Sequence, residues 1–320
     1  MSIFVRSMRK IDLFIIYIFG LIIYSNCLAL NKYNISSEET DLIGELVLTE
    51  TVFEDTLSDL ARAYDQGYNE IKLANPTIDP WLPGEGSEIM IPSHFILPHA
   101  KRQGIVINVA EMRLYYYKNV DSDRLSVSTY PVSIGRIDWR TPQGKMKITA
   151  KALDPNWYPP ESIRKEHAEE GDELPRIVLP GPDNPLGRHA IQLSVPGYLI
   201  HGTNRPYGIG MRVTHGCIRM YPKDVERLFE EVPLGTAVEI VNQAYKVGVS
   251  GTKIFLEVHP ELEEHKERYP DIYGHIVSLV QGRVKENWTV ELDLEDVWEA
   301  VERANGIPTQ VGNLKSSAQS

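Results

Sequence analysis

Two histidines and a cysteine fall within one short stretch, in Ile200-His201-Gly202-Thr203-Asn204 and Thr214-His215-Gly216-Cys217-Ile218-Arg219. A thiol, an imidazole and a glycine turn are the parts of a thiol acyl-transfer site. A neutral imidazole can withdraw the thiol proton, or the pair can rest as thiolate and imidazolium with the thiol below its free value of about 8.5. Either state makes sulfur a competent attacker of a carbonyl. Gly216 lets the chain turn without a Cβ clash, so the amides of His215, Gly216 and Cys217 are expected to converge on the developing oxyanion. A zinc site built from His201, His215 and Cys217 is the chemical competitor, although His-Gly-Cys is a tight spacing and no acidic partner is adjacent.

The second cysteine, Cys27, lies in a segment that reads as an export signal. Arg6, Arg9 and Lys10 precede an apolar run from Leu13 to Tyr24, and Cys27-Leu28-Ala29 offers a small-x-small cleavage site. An uncleaved anchor and a lipidated Cys27 are the alternatives. Cleavage after Ala29 leaves Cys217 as the one thiol of an exported chain, without a disulfide partner, so its reactivity rather than its packing is expected to matter. The 320 residues are 42% hydrophobic and 24% charged, ordinary for a globular protein of two or three domains. Removing residues 1–29 takes the net charge from −11 to −13, which disfavours a nucleic-acid partner.

Three segments must position the cluster. Residues 47–93 read as strand, helix, helix, strand: Thr51-Val52-Phe53 is strand-like, Asp55 can cap a helix bearing Leu57, Leu60, Ala61 and Tyr64, a second helix runs from Tyr68 to Ala74, and Glu88-Ile89-Met90-Ile91-Pro92 closes the unit. Residues 104–242 carry short strands between Gly and Pro turns, including Ile105–Val109, Arg113–Tyr117, Tyr130–Gly135 and Lys147–Ala150. That pattern favours a β-sandwich over a doubly wound sheet. One helix, Pro222 to Glu231, follows the Cys217 turn. Residues 245–308 mix a strand at Ile254–His259, a helix or strand at Asp271–Val280 and an amphipathic helix from Leu294 to Asn305; residues 309–320 read as a disordered tail. His189 reads as a surface histidine.

These motifs resemble the L,D-transpeptidase (YkuD-domain) family. The resemblance rests on His201-Gly202-Thr203-Asn204, Thr214-His215-Gly216-Cys217-Ile218-Arg219, the Arg140-Thr141-Pro142-Gln143-Gly144 loop and Gly181-Pro182-Asp183-Asn184-Pro185-Leu186-Gly187. The leader phrases Asp55-Thr56-Leu57, Ala74-Asn75-Pro76 and Ile89-Met90-Ile91-Pro92 resemble a LysM module, with Glu54 where that module usually has Gly. Together they are similar to the Gram-negative periplasmic subgroup that includes the enzymes attaching Braun's lipoprotein to peptidoglycan.

The resemblance implies a mainly β protein: a YkuD-type sandwich, a small α+β LysM-like domain that binds glycan strands, and a small C-terminal α+β domain. It implies a periplasmic enzyme acting on peptidoglycan tetrapeptide stems. Cys217 is then the nucleophile, His201 the base, the Gly202 carbonyl its orienting group, and His215 and Gly216 line the oxyanion site. Arg219, Thr214, Asn204 and Tyr207 are candidates for substrate binding. No cofactor or metal is implied, since the thioester conserves the energy of the cleaved bond. The acceptor stays open between a second stem and a lipoprotein lysine. So do two other readings, an L,D-carboxypeptidase with water as acceptor and a non-catalytic wall-binding protein.

Overall fold

The structure is a computed structural model that describes residues 32–36, 40–121, 124–266, 268–284 and 288–316. The expected signal at 1–29, Cys27 with it, and residues 317–320 lie outside the described residues. Among the described residues no helix is long and apolar enough to cross a membrane.

The chain opens with β1 (Lys32–Ser36), β2 (Leu42–Gly44) and β3 (Val47–Glu50), followed by helices α1 (Leu57–Ala63) and α2 (Tyr68–Ala74) and strands β4 (Glu88–Ile91) and β5 (His94–Ile96). β3 and β4 pair antiparallel, and α1 and α2 cover them through Leu57, Leu60, Ala61, Ile71, Ile89 and Ile91. Thr56 caps α1 in a reciprocal box with Asp59. Asn75 ties α2 to the sheet, donating to the carbonyls of Ile71 and Met90 and accepting from the Met90 amide, each at 2.8 Å. Thr51-Val52-Phe53 is not the strand. β3 ends at Glu50, and the Val52 amide donates to Asp55 Oδ2 at 2.8 Å, turning the chain so that Val52 and Phe53 stand 62% and 82% exposed.

The central unit contains β6 (Gly104–Asn108), β7 (Arg113–Asn119), β8 (Arg124–Gly135), β9 (Gly144–Leu153), α3 (Glu161–Glu169), β10 (His189–Leu193), β11 (Leu199–His201), β12 (Arg212–Thr214), β13 (Ile218–Met220), α4 (Pro222–Glu231) and β14 (Ala237–Val241). It is a two-layered sandwich whose layers share strands at both edges. β8 pairs first with β7 and then with β13, and β9 pairs first with β14 and then with β10, so the strand order closes on itself. Alternate residues from both layers, among them Ile105, Ile107, Val132, Ile148, Ile191, Ile200 and Ile218, fill the core between them. Val225 and Leu228 of α4 pack into the same core. Beyond it, β15 (Tyr245–Ser250), β16 (Lys253–Val258), α5 (Ile272–Arg283), β17 (Trp288–Leu292), α6 (Leu294–Arg303) and β18 (Thr309–Ser316) form a four-stranded antiparallel sheet with two helices. Where a disordered tail is expected from 309, the chain forms a strand instead: Thr309–Ser316 lies between β16 and β17, with Val311 and Leu314 buried.

Two buried polar clusters fasten these parts together. Arg113 of β7 makes a fork with Glu70 of α2, at 2.6 and 2.7 Å, and donates to Gln66 and Thr129. Its guanidinium also stacks 4.2 Å from the Phe95 ring. Lys246 of β15 donates to Glu111 Oε2 at 2.6 Å and to the Ile96 carbonyl at 2.6 Å, and pairs with Glu257 Oε1 at 2.7 Å. Groups so buried tolerate no vacant partner. Glu70→Ala strands the Arg113 guanidinium and is expected to cost about 3 to 5 kcal/mol of stability by denaturant unfolding. A loss under about 1 kcal/mol, the range of exposed pairs, would contradict the fastening role.

Candidate active site

β11 and β13 run parallel, with Ile200 opposite Ile218 and His201 opposite Arg219. The two isoleucines point into the core, so His201 and Arg219 share the other face, and Cys217 sits at the entrance of β13. His201 is 5% exposed, and its Nδ1 lies 2.7 Å from the Gly202 carbonyl. A carbonyl only accepts, so Nδ1 carries the proton and Nε2 keeps its lone pair for proton transfer.

The nucleophile turn is fixed by two threonine hydroxyls. Thr214 Oγ1 donates to the Cys217 carbonyl at 2.6 Å and accepts from the Gly216 amide at 3.2 Å. Thr141 Oγ1 donates to the Gly216 carbonyl at 3.0 Å and accepts from the Gly135 amide at 2.9 Å. Gly216 has φ +98°, and a Cβ there would meet Tyr198 Cε1 at 2.8 Å. Only glycine fits.

Electrostatics set the resting state of the pair. Burial, then the Arg219 charge, push His201 down to about 4, against smaller opposing pulls from the Gly202 and Leu186 carbonyls. Burial pushes the Cys217 thiol up, while the Leu199 amide and Arg219 pull it back. Desolvation therefore drives both groups to their neutral forms. Of the two charge states open from sequence, these directions favour a neutral imidazole and a neutral thiol. Cys217 Sγ points to the Gly197 carbonyl at 3.6 Å. Arg219 is held below its usual range by burial, and its Nε is buried without a hydrogen-bond partner among the described residues.

Not every candidate stands where sequence placed it. The Gly216 amide, expected at the oxyanion, already donates inward to Thr214 Oγ1. The His215 ring turns to Glu166, with Nε2 3.0 Å from Oε2, and meets Trp139 edge-on at 5.0 Å. Asn204 is exposed and donates to the Pro182 carbonyl at 3.1 Å, and Tyr207 is 63% exposed on the excursion between the two motifs. His189 is buried against Phe229, 5.0 Å between rings, because its strand lies inside the layer. The ligand atoms of His201, His215 and Cys217 do not gather within 4.8 Å. Among the described residues the trio that does is Glu111, Glu257 and His259, and the Lys246 ammonium already bridges its two carboxylates. Thr141, Trp139, Arg136 and Glu166 went unassigned from sequence. Thr141 alone carried a signal, its place in the Thr-Pro loop.

The excursion from Asn204 to Met211 is braced by the N-terminal unit. The Tyr68 amide donates to the Ile209 carbonyl at 2.9 Å and the Asn69 amide to that of Gly210 at 3.3 Å. Gly210, at φ +84°, sits directly against the Gly67 backbone, where a side chain has no space.

Residues 102–240 match the family model of the L,D-transpeptidase catalytic domain, YkuD. Three Escherichia coli K12 proteins are similar over most of their length. "Probable L,D-transpeptidase YcfS" is 38% identical over 270 residues, covering 82% of each chain. "Probable L,D-transpeptidase ErfK/SrfK" is 35% identical over 318 residues, covering 96% of this chain and 98% of its own. "Probable L,D-transpeptidase YbiS" is 35% identical, covering 78% and 81%.

A neutral resting pair predicts that the alkylation rate of Cys217 by iodoacetamide climbs with pH through an inflection above the free-thiol value of about 8.5. Arg219→Ala removes a cation and moves that inflection higher. A rate already on its plateau between about pH 5 and 8 would mean a preformed ion pair and contradict this reading.

Proposed function

The chain belongs to the YkuD family of L,D-transpeptidases, and from that premise we propose how its residues perform peptidoglycan acyl transfer. Cys217 Sγ attacks the carbonyl of the third stem residue, a diaminopimelate L-centre, as its proton passes to His201 Nε2. The peptide C–N bond breaks, His201 returns that proton to the leaving D-alanine amine, and a thioester remains. An acceptor amine then attacks the thioester, its proton passes through His201, and the sulfur is released as the thiol. The observation that carries this reading is the His201 ring fixed by the Gly202 carbonyl on the strand next to the nucleophile turn. With the Gly216 amide engaged, the His215 and Cys217 amides are the remaining backbone candidates for the oxyanion.

The half-buried Arg219 guanidinium, its Nε without a hydrogen-bond partner among the described residues, supports a role in binding a stem carboxylate, which it matches bidentately. Thr214 supports the turn rather than the substrate, and Tyr207 is exposed on the excursion between the two motifs. Domain boundaries are proposed at 47–93 for the LysM-like unit and 104–242 for the catalytic unit, with the C-terminal unit from 245 through the last strand. Val52, Phe53, Trp81 and Leu82 are exposed on two loops of the first unit, joined where the Leu57 amide donates to the Pro80 carbonyl at 2.9 Å. That surface suits stacking on sugar rings and supports glycan binding. Such substrates place the enzyme in the periplasm, reached through the signal at 1–29. The acceptor is a second stem or a lipoprotein C-terminal lysine.

Residues 30–320 incubated with a disaccharide-tetrapeptide are expected to yield 3→3 dimers and free D-alanine by chromatography with mass spectrometry, and Cys217→Ala to yield neither. Monomeric tripeptide with D-alanine and no dimer, even with a lipoprotein lysine peptide added, would assign water as acceptor and overturn the transferase.

A further inference from the structure

Helix α3 belongs to a long excursion between β9 and β10 that crosses to the nucleophile turn. The excursion is pinned at its root, where the Asp154 amide donates to the Arg188 carbonyl at 2.7 Å and the two side chains pair at 3.0 Å. It is pinned again where Asn184 donates to the Pro155 carbonyl at 2.8 Å and where Trp157 and Val178 bridge. The helix itself is weakly held. It spans nine residues, no side chain caps its N-terminus, and Ile163 is its one buried residue. A helix this short does not persist without docking.

Glu166 lies one turn beyond Ile163 on the same face and supplies polar docking contacts. Its Oε2 accepts from His215 Nε2 at 3.0 Å and its Oε1 from Arg136 Nη2 at 2.6 Å. Both partners are part of the nucleophile turn or bonded to it: His215 is two residues before Cys217, and the Arg136 amide donates to the Thr214 carbonyl at 3.0 Å. Trp139 holds the other side of the His215 ring. Asp138, 3.4 Å from the same Arg136 nitrogen, is the competing acceptor, and it is far more exposed than Glu166.

We propose that Glu166 is a positioning residue: through His215 and Arg136 it latches α3 onto the catalytic turn, making the helix a lid whose docked state holds the Cys217 backbone in its attacking geometry. The His215 ring, in this arrangement, is a structural hinge pin that donates its Nε2 proton to the lid and takes no proton from the thiol. Release of the latch frees the helix and loosens the turn together, so substrate entry and nucleophile alignment are coupled through one carboxylate.

The inference rests on the acyl-transfer reading for its catalytic consequence but not for the latch itself. Glu166→Ala is expected to slow acylation of Cys217 by a tetrapeptide stem about tenfold, the worth of a charge-assisted hydrogen bond. In native protein, trypsin should then cut after Arg164 and Lys165 several-fold faster, with cleavage elsewhere unchanged. Glu166→Gln keeps an oxygen acceptor for one donor and should restore most of both. Unchanged cleavage in Glu166→Ala, a rise spread over the whole chain, or unchanged acylation would overturn the proposal. Cleavage needs no substrate, so a wild-type enzyme that fails to acylate counts against the acyl-transfer reading while the latch is still read.

Discussion

The rest of the site depends on the backbone turn from Thr214 to Cys217, closed by two hydroxyls and passable only through a left-handed Gly216. The two parallel strands put His201 and Cys217 on one face, His201 level with Arg219 and Cys217 two residues before it, but strands alone leave the sulfur free to swing. The threonines remove that freedom by bonding the turn's carbonyls and its glycine amide. Tyr198 walls the turn against any larger residue. Preorganisation of this kind lowers the entropy of reaching the attacking geometry, a contribution that in acyl transfer can exceed any single hydrogen bond.

Burial then decides the chemistry. The same desolvation lowers the imidazole and raises the thiol, favouring the uncharged form of each. Arg219 works against that burial for the thiolate and with it for the imidazole, since its positive charge favours an anion and disfavours a second cation. A half-buried guanidinium whose Nε has no hydrogen-bond partner among the described residues is costly. Its value lies in an anionic partner, whether the thiolate, the tetrahedral oxygen or a stem carboxylate.

Much of this was legible in the sequence where one period or one motif reported one element. The strands beginning at Gly104 and Arg113 and the helix from Pro222 to Glu231 follow from alternation and helical spacing around residues that do fill the core. His201 and Cys217 stood out as candidates by residue type alone. What escaped depends on partners far along the chain. β18 has two buried apolar residues in a polar stretch, too few to signal a strand, and is held by neighbours on both sides. α3 buries one residue and so shows no period. The orientation of the His215 ring was equally hidden, since it is set by Glu166 and Trp139, contributed by two other segments.

The N-terminal and C-terminal units are welded to the sandwich through buried Arg113 and Lys246, and the first also grips the excursion between His201 and Cys217. The proposed acyl transfer needs Cys217 as the acyl carrier and His201 as its base. Intact and tandem mass spectrometry of the enzyme quenched in acid after mixing with a tetrapeptide stem tests that most directly. A thioester on Cys217, carrying the stem less D-alanine and strongly reduced in His201→Ala, is the predicted result. Acylation at another residue, or an undiminished thioester in His201→Ala, would contradict it.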